Sequence, residues 1–201
     1  MKKKIGIVLF EDFETLDVFG PVEMWGDLPD YEITMVSQHG GPVKSTQGVT
    51  TCASYSFDNA PQFDILLVPG GMGARREVSN SVLLAFLREQ DERTEWTTSV
   101  CTGSALLAKA GILSGRRATS NKLAYEFAKR QDEGVLWQRS ARWVIDGKYV
   151  TSSGVSAGID MALALVEKIY NRELTETIAR ETEYLWNDNA FNDPFANGAS
   201  D

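Results

Sequence analysis

The sequence predicts an α/β fold with a mostly parallel central sheet, and two observations carry that expectation. Short apolar, β-branched runs alternate with helix-length segments, and no Pro/Ser-rich linker, charge block or repeat interrupts the alternation. Runs at residues 4–10, 31–37, 64–68 and 97–100 have the length and branching of strands buried on both faces, the third closed by a Pro69-Gly70-Gly71 turn. Between them, residues 15–25, 78–90, 102–110 and 123–130 carry helix formers with apolar positions three and four apart, so helices are expected on both faces of the sheet. Residues 116–120, 141–145 and 148–152 read as later strands. Asp146-Gly147, between the last two, is a hairpin signal that makes part of the sheet antiparallel. Ser156 is placed to cap a helix over residues 156–170, with Asp160 near its positive end, and a final helix is expected over residues 173–186.

With 201 residues, 43% apolar and 24% charged, the chain is long enough for one compact domain. Such a domain buries roughly 70% of its chain surface. Residues 1–195 read as that single domain and residues 196–201 as a frayed tail. Twenty basic against twenty-eight acidic side chains leave a net charge of −8, which repels a phosphate backbone, so no direct nucleic-acid partner is expected. Lys2-Lys3-Lys4 leads into only the short run Ile5 to Phe10, too brief for a signal-peptide core or a membrane span. The expectation is a soluble, cytoplasmic protein with no membrane partner. Cys52 and Cys101 stand far apart without a CxxC, and His39 is the lone histidine, so no disulfide framework, metal or organic cofactor is expected.

In an open α/β sheet, ligands bind outside the carboxyl ends of the strands, which directs attention to three segments. In Ser99-Val100-Cys101-Thr102-Gly103, a strand turns into a helix with small residues two positions either side of the cysteine. That is the pattern of a nucleophile elbow, where tight, strained backbone needs small neighbours and a helix end would lower the thiol pKa. A cysteine among apolar residues is equally well read as an inert core filler. After the first strand, four carboxylates crowd residues 11–17, and Asp17 differs from the others by falling within the apolar stretch Leu16–Phe19. Held in apolar surroundings, such a carboxyl keeps a proton to donate, whereas the commoner role of an Asp at this place is to cap the helix. Val68-Pro69-Gly70-Gly71-Met72-Gly73 suits backbone donors approaching a ligand, or a tight turn with none. It lacks the glycine spacing of nucleotide-binding motifs.

Taken together, Leu16-Asp17-Val18-Phe19-Gly20-Pro21, Val68-Pro69-Gly70-Gly71, Ser99-Val100-Cys101-Thr102-Gly103 and Ser153-Gly154-Val155-Ser156-Ala157-Gly158-Ile159-Asp160 resemble the PfpI/ThiJ superfamily, related to class I glutamine amidotransferases. The resemblance spans residues 4 to 195, and Asp17, Thr102 and the SAGIDMAL segment are most similar to the isocyanide hydratase branch. It implies a flavodoxin-like three-layer α/β/α sandwich, a homodimer, and an elbow cysteine close to the acidic residue of the first helix. Thr102 stands where the family's peptidases carry the histidine of their dyad, which disfavours proteolysis. Asn121, in Ala118-Thr119-Ser120-Asn121, stands where other relatives place a histidine. Nothing in the sequence brings His39 to the elbow, so an amidotransferase triad cannot be assembled.

The chemistry implied is therefore a Cys101 thiolate paired with an Asp17 carboxyl, acting on a small electrophile such as an isocyanide. Backbone N–H groups of Gly71 and Thr102 are the expected donors to developing charge, the Thr102 hydroxyl positions the cysteine or water, and Gly70, Asn121, Ser153 and Gly154 are candidate pocket residues. Two alternatives remain. One is glyoxalase- or deglycase-like chemistry, which Asn121 disfavours. The other is a ligand- or redox-sensing domain like the amino-terminal half of AraC-type regulators, for whose helix-turn-helix pair these 201 residues leave no room. The aromatics Tyr184, Trp186, Phe191 and Phe195 are expected to pack on the same domain or to cover a subunit interface or the site's rim.

Overall fold

A computed structural model describes residues 2–196. In chain order the elements are β1 (Lys3–Leu9), α1 (Thr15–Trp25), β2 (Tyr31–Ser37), β3 (Gly41–Lys44), β4 (Thr50–Ala53), β5 (Tyr55–Ser56), β6 (Ile65–Val68), α2 (Ala74–Glu77), α3 (Ser81–Asp91), β7 (Trp96–Ser99) and α4 (Gly103–Lys109). They continue through β8 (Arg117–Ala118), α5 (Tyr125–Lys129), β9 (Leu136–Trp137), β10 (Trp143–Asp146), β11 (Tyr149–Ser152), α6 (Ala157–Ile169) and α7 (Arg172–Glu181). The main sheet has the order β10-β11-β7-β6-β1-β2-β5. Every neighbouring pair in it is parallel except β10–β11, the antiparallel hairpin that turns at Asp146-Gly147.

The central strands β1 and β6 are buried on both faces because helices cover each side. Helices α1, α6 and α7 form one layer and α3, α4 and α5 the other, completing a flavodoxin-like sandwich. The Trp25 indole donates to the Ala162 carbonyl at 3.1 Å, fastening α1 to α6 through a buried bond. This contact fixes the helix that carries Asp17.

Several boundaries differ from the sequence expectation for identifiable reasons. The helix expected over 78–90 starts only at Ser81, as α3, because Asn80 caps it with Oδ1 accepting the N–H groups of Val82 and Leu83 at 3.1 and 3.3 Å, and the short α2 before it, over 74–77, has no counterpart in the sequence expectation. The last helix ends at Glu181 rather than 186, where the Thr182 hydroxyl folds back to the Ile178 carbonyl at 2.8 Å and Glu183 takes φ +50°. Ser156 occupies the position before α6 but makes no capping hydrogen bond with its side chain. The strand expected at 116–120 shrinks to β8, which pairs with β9 outside the main sheet. The β3–β4 hairpin was not anticipated, its polar Ser/Thr-rich sequence lacking the alternation of a half-buried strand. Of the tail, Ala196 closes a turn onto the Asp193 carbonyl at 3.0 Å, and residues 197–201 lie outside the described residues. Among the described residues no helix is long and apolar enough to cross a membrane.

Candidate active site

Gly103 makes the turn after β7 possible. A Cβ there would lie 2.0 Å from the Val68 carbonyl oxygen, so only glycine lets the start of α4 press against β6. Cys101, two residues earlier, is held at φ +56°, a region that side-chain-bearing residues rarely occupy. Its N–H donates to the Ser153 carbonyl at 3.0 Å, and its carbonyl accepts the Ser104 and Ser120 hydroxyls at 3.0 and 3.1 Å. Three anchors from separate segments thus over-determine the strained residue. The side chain is nearly enclosed, with 6% of the residue exposed.

The thiol meets the backbone N–H groups of Thr102 and Val155, the Asn121 side-chain amide and the Asp17 carboxyl. Asn121 is oriented by its own oxygen: Oδ1 accepts the N–H groups of Leu123 and Ala124 at 2.8 and 3.1 Å, which turns its amide nitrogen to the sulfur and to Gly154. Val155 is a further residue the sequence did not reveal. A valine at φ +34° is a backbone outlier that no propensity pattern signals, and this conformation presents its N–H to the sulfur.

Asp17 sits in the first turn of α1 and is fully buried. It does not cap its helix: Oδ2 accepts the Gly70 N–H at 2.8 Å across the fold, while Oδ1 is buried without a well-formed hydrogen bond. Burial pushes its carboxyl up to about 8, helped by the Glu14 charge and opposed by the Gly70 N–H and the Cys101 thiol. The thiol is also pushed upward, first by burial and then by the Asp17 carboxylate; the Thr102 and Val155 N–H groups and Asn121 act in the opposite direction. The lowering expected from a helix end is outweighed, because α4 is short and the sulfur is dry. Cys101 and Asp17 therefore form a coupled pair that resists losing its last proton.

The glycine-rich turn departs from expectation. The Gly71 N–H donates to the Thr102 hydroxyl at 3.2 Å, so it is not a free donor facing a ligand, and the Thr102 hydroxyl braces this turn rather than the sulfur. Gly71 takes φ +130°, and a Cβ there would collide with the Asp12 carbonyl at 2.3 Å. Its conformation holds the Glu11–Glu14 loop against the turn, where the Glu14 N–H reaches the Gly70 carbonyl at 2.8 Å. The donors that converge on sulfur are those of Thr102, Val155 and Asn121.

Ser153 and Gly154 join Asn121 in lining a pocket of about 250 Å3 beside the cysteine, walled by Leu123, Pro194 and Phe195. A larger pocket of about 320 Å3, containing His39, Glu77 and Leu83, shares none of these residues. The exposed His39 belongs to that second cavity and is not among the partners of Cys101.

Sandwich, strained elbow and buried carboxyl together define a class of cysteine-centred α/β domains. Residues 3–168 match the DJ-1/PfpI family, and the chain belongs to it. It is 32% identical over 201 residues to an isonitrile hydratase of Pseudomonas putida, spanning 100% of this chain and 85% of that protein. It is 31% identical over 183 residues to the HTH-type transcriptional regulator GbdR of Pseudomonas aeruginosa, spanning 88% of this chain and 49% of the regulator. A ThiJ/PfpI family protein from Pseudomonas syringae superposes with a TM-score of 0.85 at 29% identity, over 92% of this chain and 76% of that one.

Proposed function

We propose that this protein is a cysteine-dependent enzyme that hydrates isocyanides to N-substituted formamides. The observation that carries the reading is the pairing of the strained Cys101 with a buried, proton-retaining Asp17, in a site whose thiol touches no imidazole. The terminal carbon of an isocyanide must receive both a nucleophile and a proton, so it requires those two groups on one side of a small site. Similarity to an isonitrile hydratase over the whole chain supports the same reaction.

In this scheme the reactive form of the pair holds a single proton, which passes from the Cys101 thiol to Asp17, and the N–H groups of Thr102 and Val155 with the Asn121 amide stabilise the thiolate. Sulfur bonds to the terminal carbon, and Asp17 returns the proton to that carbon, giving a thioimidate, R–N=CH–S–Cys101. Water adds to the C=N carbon as Asp17 accepts one of its protons and the nitrogen gains one. The C–S bond then breaks, releasing R–NH–CHO and regenerating the thiol. Overall one water is consumed per isocyanide, and no electrons leave the system.

The test is formamide production from phenyl isocyanide, followed by infrared loss of the isocyanide band, in wild type, Cys101→Ala and Asp17→Asn. Turnover by wild type and its loss in both variants is expected. An inactive wild type that still binds a small effector would favour the second reading, a sensing domain, which rests on the likeness to half of a transcriptional regulator.

A further inference from the structure

The pocket beside Cys101 has no assigned occupant, and its walls say what would fit. On one side it shares Asn121 and the Ser153-Gly154 turn with the thiol: the Asn121 amide faces the sulfur, and the Ser153 carbonyl holds the Cys101 N–H. On the other side it is apolar, built from Leu123, Pro194 and Phe195. The one cation on its lining, Lys122, is directed elsewhere. Its Nζ donates to the Thr119 hydroxyl and the Ala141 carbonyl, both at 2.8 Å, and lies 3.7 Å from Asp193. Asn121 Oδ1 is likewise occupied by backbone donors. No charge is therefore offered to a carboxylate or phosphate.

The apolar wall is held in place from beneath. Asp193, almost fully buried, lies 3.7 Å from Lys122 and 3.8 Å from Arg142, and Arg142 Nε bonds Asp160 at 2.6 Å. The Asp193 N–H donates to the Ser140 carbonyl at 2.8 Å, and its Oδ1 accepts the Phe195 N–H at 3.0 Å. A buried ionic clamp thus sets the backbone of a phenylalanine whose surface is 65% exposed over the pocket mouth. Leu123, opposite, is 89% exposed. Apolar cavities of roughly 150 Å3 accept benzene, so the volume of about 250 Å3 is sufficient for one aromatic ring.

We propose that this pocket receives the organic substituent of the substrate, and that Phe195 is the specificity-determining residue that favours a single apolar ring. The inference rests on the isocyanide reading for the reactive group, but its subject is the substituent. Phenyl isocyanide then lies with its terminal carbon at the sulfur and its ring between Gly154 and Phe195. Methyl isocyanide reaches the sulfur without touching Phe195.

The test compares steady-state hydration of methyl and phenyl isocyanides by wild type and Phe195→Ala. Because Phe195 is largely exposed, its truncation leaves the fold intact. The expected result is a KM for phenyl isocyanide raised about tenfold with kcat little changed, and methyl isocyanide kinetics within about twofold of wild type. Equal effects on phenyl and methyl substrates, or no effect on either, would overturn the proposal. If wild type hydrates no isocyanide, labelling of Cys101 separates the two ideas, using N-phenylmaleimide against N-methylmaleimide in a Cys52→Ser background that removes the exposed thiol. A phenyl preference abolished by Phe195→Ala keeps the pocket assignment for another electrophile. No preference, or no labelling of Cys101 by either reagent, rejects it.

Discussion

Asp17 and Asp193 are carboxylates almost without solvent exposure, at 0% and 3%, yet the fold treats them differently. Asp193 lies between two cations, Lys122 and Arg142, and beside it Asp160 accepts from Arg142, the Tyr184 hydroxyl and the Asn187 N–H. Among the described residues Asp17 has no cation beside it, one backbone donor, and a sulfur that competes for the same proton. Burying a charge with counter-charges makes a structural joint, whereas burying one without them makes a group whose protonation state can change. The first arrangement positions the segment that carries Phe195, and the second gives the site a proton to move.

The sharpest way to break this contrast is Asp17→Asn, which keeps the shape but removes the exchangeable proton and the negative charge. Hydration should fall by about 10^3-fold or more. Alkylation of Cys101 above pH 8, where wild-type Asp17 is ionised, should instead become faster, because the carboxylate that then pushes the thiol upward is gone. Parallel loss of both would mean that Asp17 acts only by holding the Gly70 turn.

The second expected effect is structural. Asp193→Ala leaves Lys122 and Arg142 without their shared carboxylate, and removing one partner of a buried pair costs about 3 kcal/mol at the lower end of the usual range. For a chain of this size that corresponds to a melting point lowered by roughly 6–12 °C. Hydration of methyl isocyanide by the folded variant should persist. A melting point within about 2 °C of wild type would show that the ionic cluster is not the clamp.

The two regions also differed in how far the sequence disclosed them. Local patterns sufficed for the main sheet apart from its two-residue edge strand β5, for α1 and for the tight turn around Cys101, because buried parallel strands and glycine-bounded turns leave contiguous signatures such as Ile65–Val68 and Cys101-Thr102-Gly103. Asp17 was conspicuous as a charge among apolar neighbours. The local pattern pointed to a helix cap, however, and its bond to Gly70 joins residues 53 positions apart. The clamp was not legible at all: Lys122, Arg142 and Asp193 are scattered charges that resemble a solvated surface until the fold brings them together. Val155 was invisible because its strain is imposed by surroundings rather than encoded in its type. Gly71 was recognised as special, but for a donor that the Thr102 hydroxyl occupies.

A pH series sharpens the contrast without changing fold or shape. The Asp17 carboxyl moves from 3.8 when exposed to about 8 when folded, so between those values the native state keeps a proton that the unfolded chain has lost. Its contribution is fully present below the unfolded value and is lost as pH rises through the folded one. Stability should therefore decline with rising pH across this window, with a slope approaching about 1.4 kcal/mol per pH unit from this group. Asp17→Asn should remove that part of the slope in urea titrations at pH 5, 6, 7 and 8. An unchanged slope would locate the titration elsewhere.

The smallest effect is expected at Val155, where strain is tied to the donor rather than to charge. Glycine adopts φ +34° without penalty and keeps the N–H, so Val155→Gly relieves about 1–3 kcal/mol of backbone strain. Against that stands about 1 kcal/mol of added freedom in the unfolded chain, together with the loss of a partly buried side chain. The net change in stability should lie within about 1 kcal/mol of zero, a shift of no more than roughly 4 °C in melting temperature. Yet a freer loop aims the Val155 N–H less firmly at sulfur, and Cys101 alkylation at fixed pH should slow a few-fold as the thiolate loses a preorganised donor. A variant with unchanged reactivity would show that strain at Val155 serves the start of α6 alone, leaving Thr102 and Asn121 as the groups that hold the thiolate.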